Sequence, residues 1–206
     1  MVAVRNEQDV AAGIYLPIDQ QAEIVRSLLL ANPVFARTLD VVEASELPNR
    51  YVGGGAIPQI VWNHAHGFDP NHGIADFDVV HFDPADLSAE GEESRQQALL
   101  ERISDTPVRL EVVNEARTHQ WYGREFGREI APYSCTEAAI FTFPTTASAV
   151  GVSLQQGHLG IYAPHGLSDL LGLVARANKI LVSREVYEQK CRRWRAVWPK
   201  LTVIPW

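Results

Sequence analysis

Apolar positions recur at helical spacing in two runs near the start of the chain. Between Pro17 and Ala31, residues Ile18, Ala22, Val25, Leu28 and Leu29 fall on one side, which predicts an amphipathic helix. Asn32-Pro33 restarts the pattern, since asparagine caps well and proline suits the first helical position; a second helix is expected to about Ala44. Arg50 to Val52 reads as a short strand entering the turn Gly53-Gly54-Gly55. From Ala56 to His66, Ile57, Ile60, Val61 and His64 share a helical face, and Gly67 is the expected stop. Phe68 to Gly73 is a polar loop. Asp76 to Phe82 and Val108 to Val113 are β-branched runs that read as strands, with a helix of roughly Glu92 to Ser104 between them. Asn114 to Phe126 turns helical again, and Ala149 to Leu154 with Leu159 to Tyr162 reads as a hairpin or paired strands. Ser183 caps a last helix to about Trp198, with an apolar stripe of Tyr187, Cys191, Trp194 and Trp198.

Helices alternating with strands over residues 17 to 113 predict an α/β (α+β) fold with a mixed sheet. At 206 residues and 46% hydrophobic, the chain can bury a real core as one domain, or as a core with an appended lobe. No apolar stretch approaches the ~20 residues that span a bilayer, so no membrane partner is expected. Met1 to Glu7 lacks the charged-then-apolar layout of a signal peptide, and Cys135 and Cys191 form neither a disulfide framework nor a zinc knuckle. A cytoplasmic location is the plain expectation.

The formal charge of −7 is unevenly spread. Residues 171–206 carry eight Lys/Arg against two Glu, whereas the preceding 170 carry ten against twenty-three Asp/Glu. An acidic body gives no strong nucleic-acid signature. A basic tail beside it suits a polyphosphate held from two sides, or else forms a solvated helix face.

Chemistry enters with Asp76-Phe77-Asp78. At period two, both carboxylates leave the strand on one face, where they repel each other unless a cation lies between them. Hard oxygen ligands of this kind suit Mg²⁺ or Mn²⁺. The glycine turn upstream allows close approach of backbone to a phosphate. Glu111, flanked by Leu110 and Val112, points away from the core and either meets Asp76 and Asp78 across a sheet or faces solvent on an edge strand. Such a metal-bridging set can activate a hydroxyl and stabilise a leaving pyrophosphate.

Gly-Gly, Asp-x-Asp and a lone acid on a following strand together resemble the DNA polymerase β-like nucleotidyltransferase superfamily. More closely, Tyr51–Gly67, Asp76–Asp83, Asn114–Tyr122, Pro144–Val152 and Tyr162–Trp206 resemble a family of small bacterial nucleotidyltransferase-like proteins. The resemblance implies a minimal nucleotidyltransferase core, with metal on Asp76, Asp78 and Glu111 and the triphosphate on Gly53 and Gly54. It also implies N-terminal helices and core over residues 1–125 and a C-terminal lobe over 126–206 packed on the core. Three features depart from the family pattern: twenty residues separate Gly55 from Asp76, the third acid is Glu rather than Asp, and Val113 stands where a lysine is usual.

Four further residues carry two readings each. Arg117 would pair with a phosphate or make a salt bridge with Glu115 or Glu137. Thr145 and Thr146 would donate hydroxyls to a nucleotide or shape a turn. Lys179, after Asn178, would reach the phosphates or remain a surface lysine. His64-x-His66 ends a helix, where residues two apart diverge, so metal ligation by the pair is not expected. No Gly-x-x-x-x-Gly-Lys-Ser/Thr and no Gly-x-Ser-x-Gly is present, which excludes a P-loop and a serine-hydrolase elbow.

The expected activity is transfer of a nucleoside monophosphate from an NTP to an unidentified acceptor (small molecule, protein or RNA), releasing pyrophosphate. Asp76, Asp78 and Glu111 would be catalytic; Gly53, Gly54, Arg117, Thr145, Thr146 and Lys179 would bind nucleotide. The alternatives are a catalytically weak or inactive nucleotide-binding or interaction module of the same fold, and a metal-dependent phosphohydrolase.

Overall fold

Local chemistry sets the helix ends. Asn32 caps the helix that begins at Pro33 by accepting hydrogen bonds from the Val34 and Phe35 amides at 3.0 and 3.1 Å. Gly67, at φ 67°, closes the helix Ala56–His66 in the left-handed region that favours glycine. The structure, a computed structural model, describes residues 7–45, 47–103 and 106–206. Met1 to Asn6, within the segment lacking a signal-peptide layout, and Ser104, the expected end of a helix, lie outside the described residues.

The helices are α1 Glu7–Ala12, α2 Ile18–Ala31, α3 Pro33–Glu43, α4 Ala56–His66, α5 Ala89–Arg102, α6 Thr118–Phe126, α7 Thr136–Ile140, α8 Ser168–Leu171 and α9 Arg184–Val197. Strands β1 Tyr51–Gly53, β2 Asp76–His81, β3 Arg109–Asn114, β4 Gly151–Gln155 and β5 His158–Tyr162 form one sheet in the order β3-β2-β1-β4-β5. Within this sheet β2 and β3 run parallel, β1 is antiparallel to both of its neighbours, and β4–β5 is an antiparallel hairpin. Strands β6 Val174–Ala175 and β7 Thr202–Val203 pair separately. The mixed sheet flanked by helices is the α/β architecture expected from the sequence. Because β4 and β5 are strands of that sheet, a division at 125/126 would run through it. Among the described residues no helix is long and apolar enough to cross a membrane.

Two arrangements place the site. Buried Asn114 ties the C-terminal ends of β2 and β3 to the loop after β2. Its Oδ1 accepts from the Asp83 amide at 2.9 Å, and its Nδ2 donates to the Asp83 and Asp86 carbonyls at 2.9 and 2.8 Å. An amide that uses both ends in this way holds the end of β3 against the loop that leaves β2. The second arrangement locks α9 to α4. Trp62 meets Trp194 and Trp198 edge-on, with centroids 5.1 and 5.7 Å apart, and Trp198 Nε1 donates to Asn63 Oδ1 at 2.7 Å. Since α4 starts at the glycine turn, this packing brings the basic tail alongside the acidic strands.

Candidate functional site

The parallel register sets Asp76 opposite Arg109 and Asp78 opposite Glu111. Paired residues of adjacent strands share a face, so Asp76, Asp78 and Glu111 all lie on one side of the sheet, with strand axes about 4.8 Å apart. Asp78 and Glu111 line a cavity of about 470 Å³, together with Gly54, Gly55 and Lys190. Its far wall is aromatic, from Trp121 and Tyr122 of α6 and from Tyr133 and Phe143.

Asp78 is the most perturbed member of the trio. Burial, then the neighbouring charges of Asp76 and Glu111, push its carboxyl up to about 7, against the opposing pull of the Lys190 ammonium and the Gly55 amide. Lys190 is shifted the other way: burial, then Arg193, lowers it, while Asp78 and Asp76 oppose. Glu115, buried at the cavity floor, is also raised to about 7, mainly by burial, although the Thr118 hydroxyl donates to its Oε2 at 2.8 Å. Asp76 is held by Arg109, whose guanidinium lies 3.4 Å away. The cavity thus concentrates negative charge that its own cations only partly neutralise.

The glycine turn has a steric role toward Asp78. Gly54 sits at φ +72°, and a Cβ there would lie 2.2 Å from Asp78 Oδ2. Its amide donates to the Val150 carbonyl at 3.2 Å, and the Gly55 amide bonds Asp78. The Gly54 N–H, expected to cradle a phosphate, is thus engaged by the segment just before β4. Gly53 lies inside β1, paired with Asp78 on one side and Gly151 on the other.

The remaining expected binding residues lie elsewhere. Arg117 is paired with Glu92, not with Glu115 or Glu137, and also donates to the Leu87 carbonyl at 3.2 Å. Thr145 is buried and exchanges hydrogen bonds with Ser148, and Thr146 donates to Asp169 at 2.6 Å. The Lys179 ammonium lies over the Trp206 ring, 4.7 Å from its centroid. None of these four lines the cavity; each is engaged in local packing or pairing. His66 is likewise taken up in packing, with Nδ1 2.7 Å from the Trp62 carbonyl and Nε2 accepting from the Lys200 amide.

Several lining residues escaped the sequence reading. Lys190 was hidden in the general charge of the tail, yet Val186, Lys190 and Arg193 follow one another at helical spacing beside the apolar stripe. Glu115 was considered only as a partner for Arg117, and Trp121 fell within a segment read as helical.

In donor type and facing, Asp76, Asp78 and Glu111 fit a hard divalent cation, which would relieve the like charges that, after burial, raise the Asp78 carboxyl. Their side chains are not drawn together around a point: among the described residues no three His, Cys, Asp or Glu are grouped as a metal site.

No curated protein sequence matches this chain. A solution structure described as revealing a CCA-adding enzyme head domain is similar in fold, with a TM-score of 0.71 at 23% identity over 88% of this chain and 96% of that one. A family model described as nucleotidyltransferase matches residues 40–203, which takes in the glycine turn, both strands of the acidic face and helix α9. The chain belongs to this nucleotidyltransferase family.

Proposed function

We propose that the protein transfers a nucleoside monophosphate from an NTP to an acceptor hydroxyl or phosphate, with release of pyrophosphate. The observation that carries the reading is the in-register parallel pairing of β2 and β3, which stacks Asp78 against Glu111 above one cavity. Asp76, Asp78 and Glu111 would hold Mg²⁺ or Mn²⁺. When bound, the metal would neutralise triphosphate charge and acidify the acceptor hydroxyl.

The acceptor oxygen forms a bond to the α-phosphorus as the bond to the bridging oxygen breaks, and the electron pair leaves with pyrophosphate. Glu111 is the exposed acid of the trio, so its carboxylate is the accessible one to take the acceptor proton. Asp78 must be ionised to serve, and a bound cation would favour its charged form against the burial and like charges that otherwise raise its carboxyl. The aromatic wall and the half-buried Lys190 exclude water and shield the developing charge.

One observation favours a second reading, a nucleotide-binding module without turnover: the three acids do not group around a point. Pyrophosphate release, measured with each NTP, Mg²⁺ or Mn²⁺ and a cell extract as acceptor source, separates the two. The expected result is NTP-dependent release that Asp78→Asn reduces on the order of a thousandfold. Binding of NTP with no release above the variant would leave only the module.

A further inference from the structure

Helix α6 turns one face to the cavity, and that face has a composition of its own. The 3₁₀ turn Glu115–Arg117 runs directly into α6, so Glu115, Thr118, Tyr122 and Glu125 follow one another three or four residues apart, with Trp121 and Phe126 beside them. All six line the cavity. Carboxylates thus flank a run of aromatic rings. Tyr122 and Phe126 centroids lie 4.6 Å apart, Trp121 and Phe126 centroids 6.4 Å apart, and Phe126 remains 50% exposed.

Neither acid of this face is in an ion pair among the described residues. Glu115 is buried, and the Thr118 hydroxyl donates to its Oε2 at 2.8 Å. A carboxylate accepts about four hydrogen bonds, so Oε1 is left for an occupant of the cavity. Arg117, two residues on, is turned away to Glu92 and the Leu87 carbonyl. The cations that line the cavity are engaged as well. The Arg128 guanidinium donates to the Ile180 carbonyl at 3.1 Å, and the Lys190 ammonium lies over the Trp194 ring, 4.9 Å from its centroid. Burying a carboxylate without a partner costs free energy, which a cation entering the cavity would offset.

Acids on the strands and acids on the helix suit different charges. Asp76, Asp78 and Glu111 fit a divalent cation, whereas Glu115 and Glu125, set among rings, fit an organic one. The negative face of an aromatic ring attracts an ammonium group within about 6 Å, and a carboxylate beside it adds a charge-assisted hydrogen bond. An uncharged acceptor would leave an ionised Glu115 buried without a partner. We propose that the acceptor is a hydroxyl-bearing organic amine, its ammonium group held by Glu115 and Glu125 against the Trp121 and Tyr122 rings. This rests on the nucleotidyl-transfer reading and adds the chemical class of the acceptor. The amine stays protonated and serves as an anchor. Its hydroxyl oxygen bonds to the α-phosphorus, the bond to pyrophosphate breaks with its electron pair, and the hydroxyl proton passes to Glu111.

The test has two readouts on the full chain in Mg²⁺ buffer. The first is pyrophosphate release with NTP and a small-molecule cell extract divided on a cation exchanger. The retained, amine-bearing fraction should support release and the unretained fraction should not. Glu115→Gln with Glu125→Gln should raise the amount of retained fraction needed for half-maximal release by about tenfold or more. Trp121→Leu should raise it several-fold, and the KM for NTP should stay unchanged in both variants. Circular dichroism checks folding, and Glu125→Gln alone, at an exposed position, stands in should the double variant not fold. Release with the unretained fraction alone, or a KM for NTP that rises instead, overturns the amine class and keeps transfer. The second readout needs no turnover: aminocyclohexanol, and not the uncharged cyclohexanediol, should shift the Trp121 indole N–H resonance. Equal shifts, or none, overturn the ammonium site. A shift by the amine alone, without release from any fraction, keeps that site and overturns transfer.

Discussion

Strands β2 and β3 present two faces that differ in almost everything but their backbone. On one side Phe77, Val79, Leu110 and Val112 are buried, and Phe35 of α3 meets Phe77 edge-on at 5.2 Å. On the other side Asp76, Asp78 and Glu111 carry like charges, and Asp78 and Glu111 line a cavity. The period of two lets one strand carry both, so the apolar face supplies the stability that the acidic face withdraws. A site of concentrated charge can exist here because the residues between its carboxylates are fully committed to the core.

The largest expected effect breaks the stabilising face. Phe77 is fully buried, and Phe77→Ala should lower the unfolding free energy by about 3–5 kcal/mol, read from urea titration. A cost near that of a surface substitution would show that the two faces do not divide the work in this way.

Next comes acid. His81 ends the apolar face of β2, fully buried, with neither ring nitrogen hydrogen-bonded among the described residues. Burial, then Arg95, lowers it from 6.5 to about 4. The unfolded chain takes up that proton below pH 6.5 while the native protein resists until about 4. Stability contributed by neutral His81 is thus complete above pH 6.5 and lost as pH falls through the native value, a change of about 3 kcal/mol. Urea titrations from pH 7 to 4 should show this slope, and His81→Leu should flatten it; an unchanged slope in the variant would assign the acid sensitivity to another group.

The smallest effect has the opposite sign and sharpens the contrast. Asp78 is raised from 3.8 to about 7, so its contribution to stability is complete below pH 3.8 and lost as pH rises through 7. Asp78→Asn keeps the uncharged shape at every pH. After allowance for solvent at this half-buried position, it should stabilise the protein at pH 8 by about 1 kcal/mol and raise Tm by a few degrees. The same substitution lowers transfer on the order of a thousandfold under the proposed function. A melting temperature that falls at pH 8 would mean that the carboxylate is already neutralised in the native protein.

Much of this layout was legible from local chemistry. The glycine turn and Gly67 bounded α4, Asn32-Pro33 opened α3, and the period of two put Asp76 and Asp78 on one face, because each of these depends only on near neighbours in sequence. The stripe Tyr187, Cys191, Trp194 and Trp198 is likewise buried as its spacing predicts. What the chain does over distance was not legible. Arg117 had two candidate partners close by in sequence or type, and took neither: Glu92, projecting from α5, reaches it first. Gly54 looked free to meet a phosphate, but Val150 of a distant segment claims its amide.

Helix and strand periods, caps and the identity of the acidic pair were thus determined by the sequence itself, since they follow from steric and hydrogen-bonding preferences within a few residues. The tertiary structure alone decided that Glu111 stands beside Asp78, because that neighbour comes from the parallel pairing of two strands distant in sequence. It also decided that Lys190 lines the same cavity as Asp78 and Glu111. That position comes from two tryptophans of α9 meeting Trp62, a contact whose energy is available only once α4 and α9 have come together.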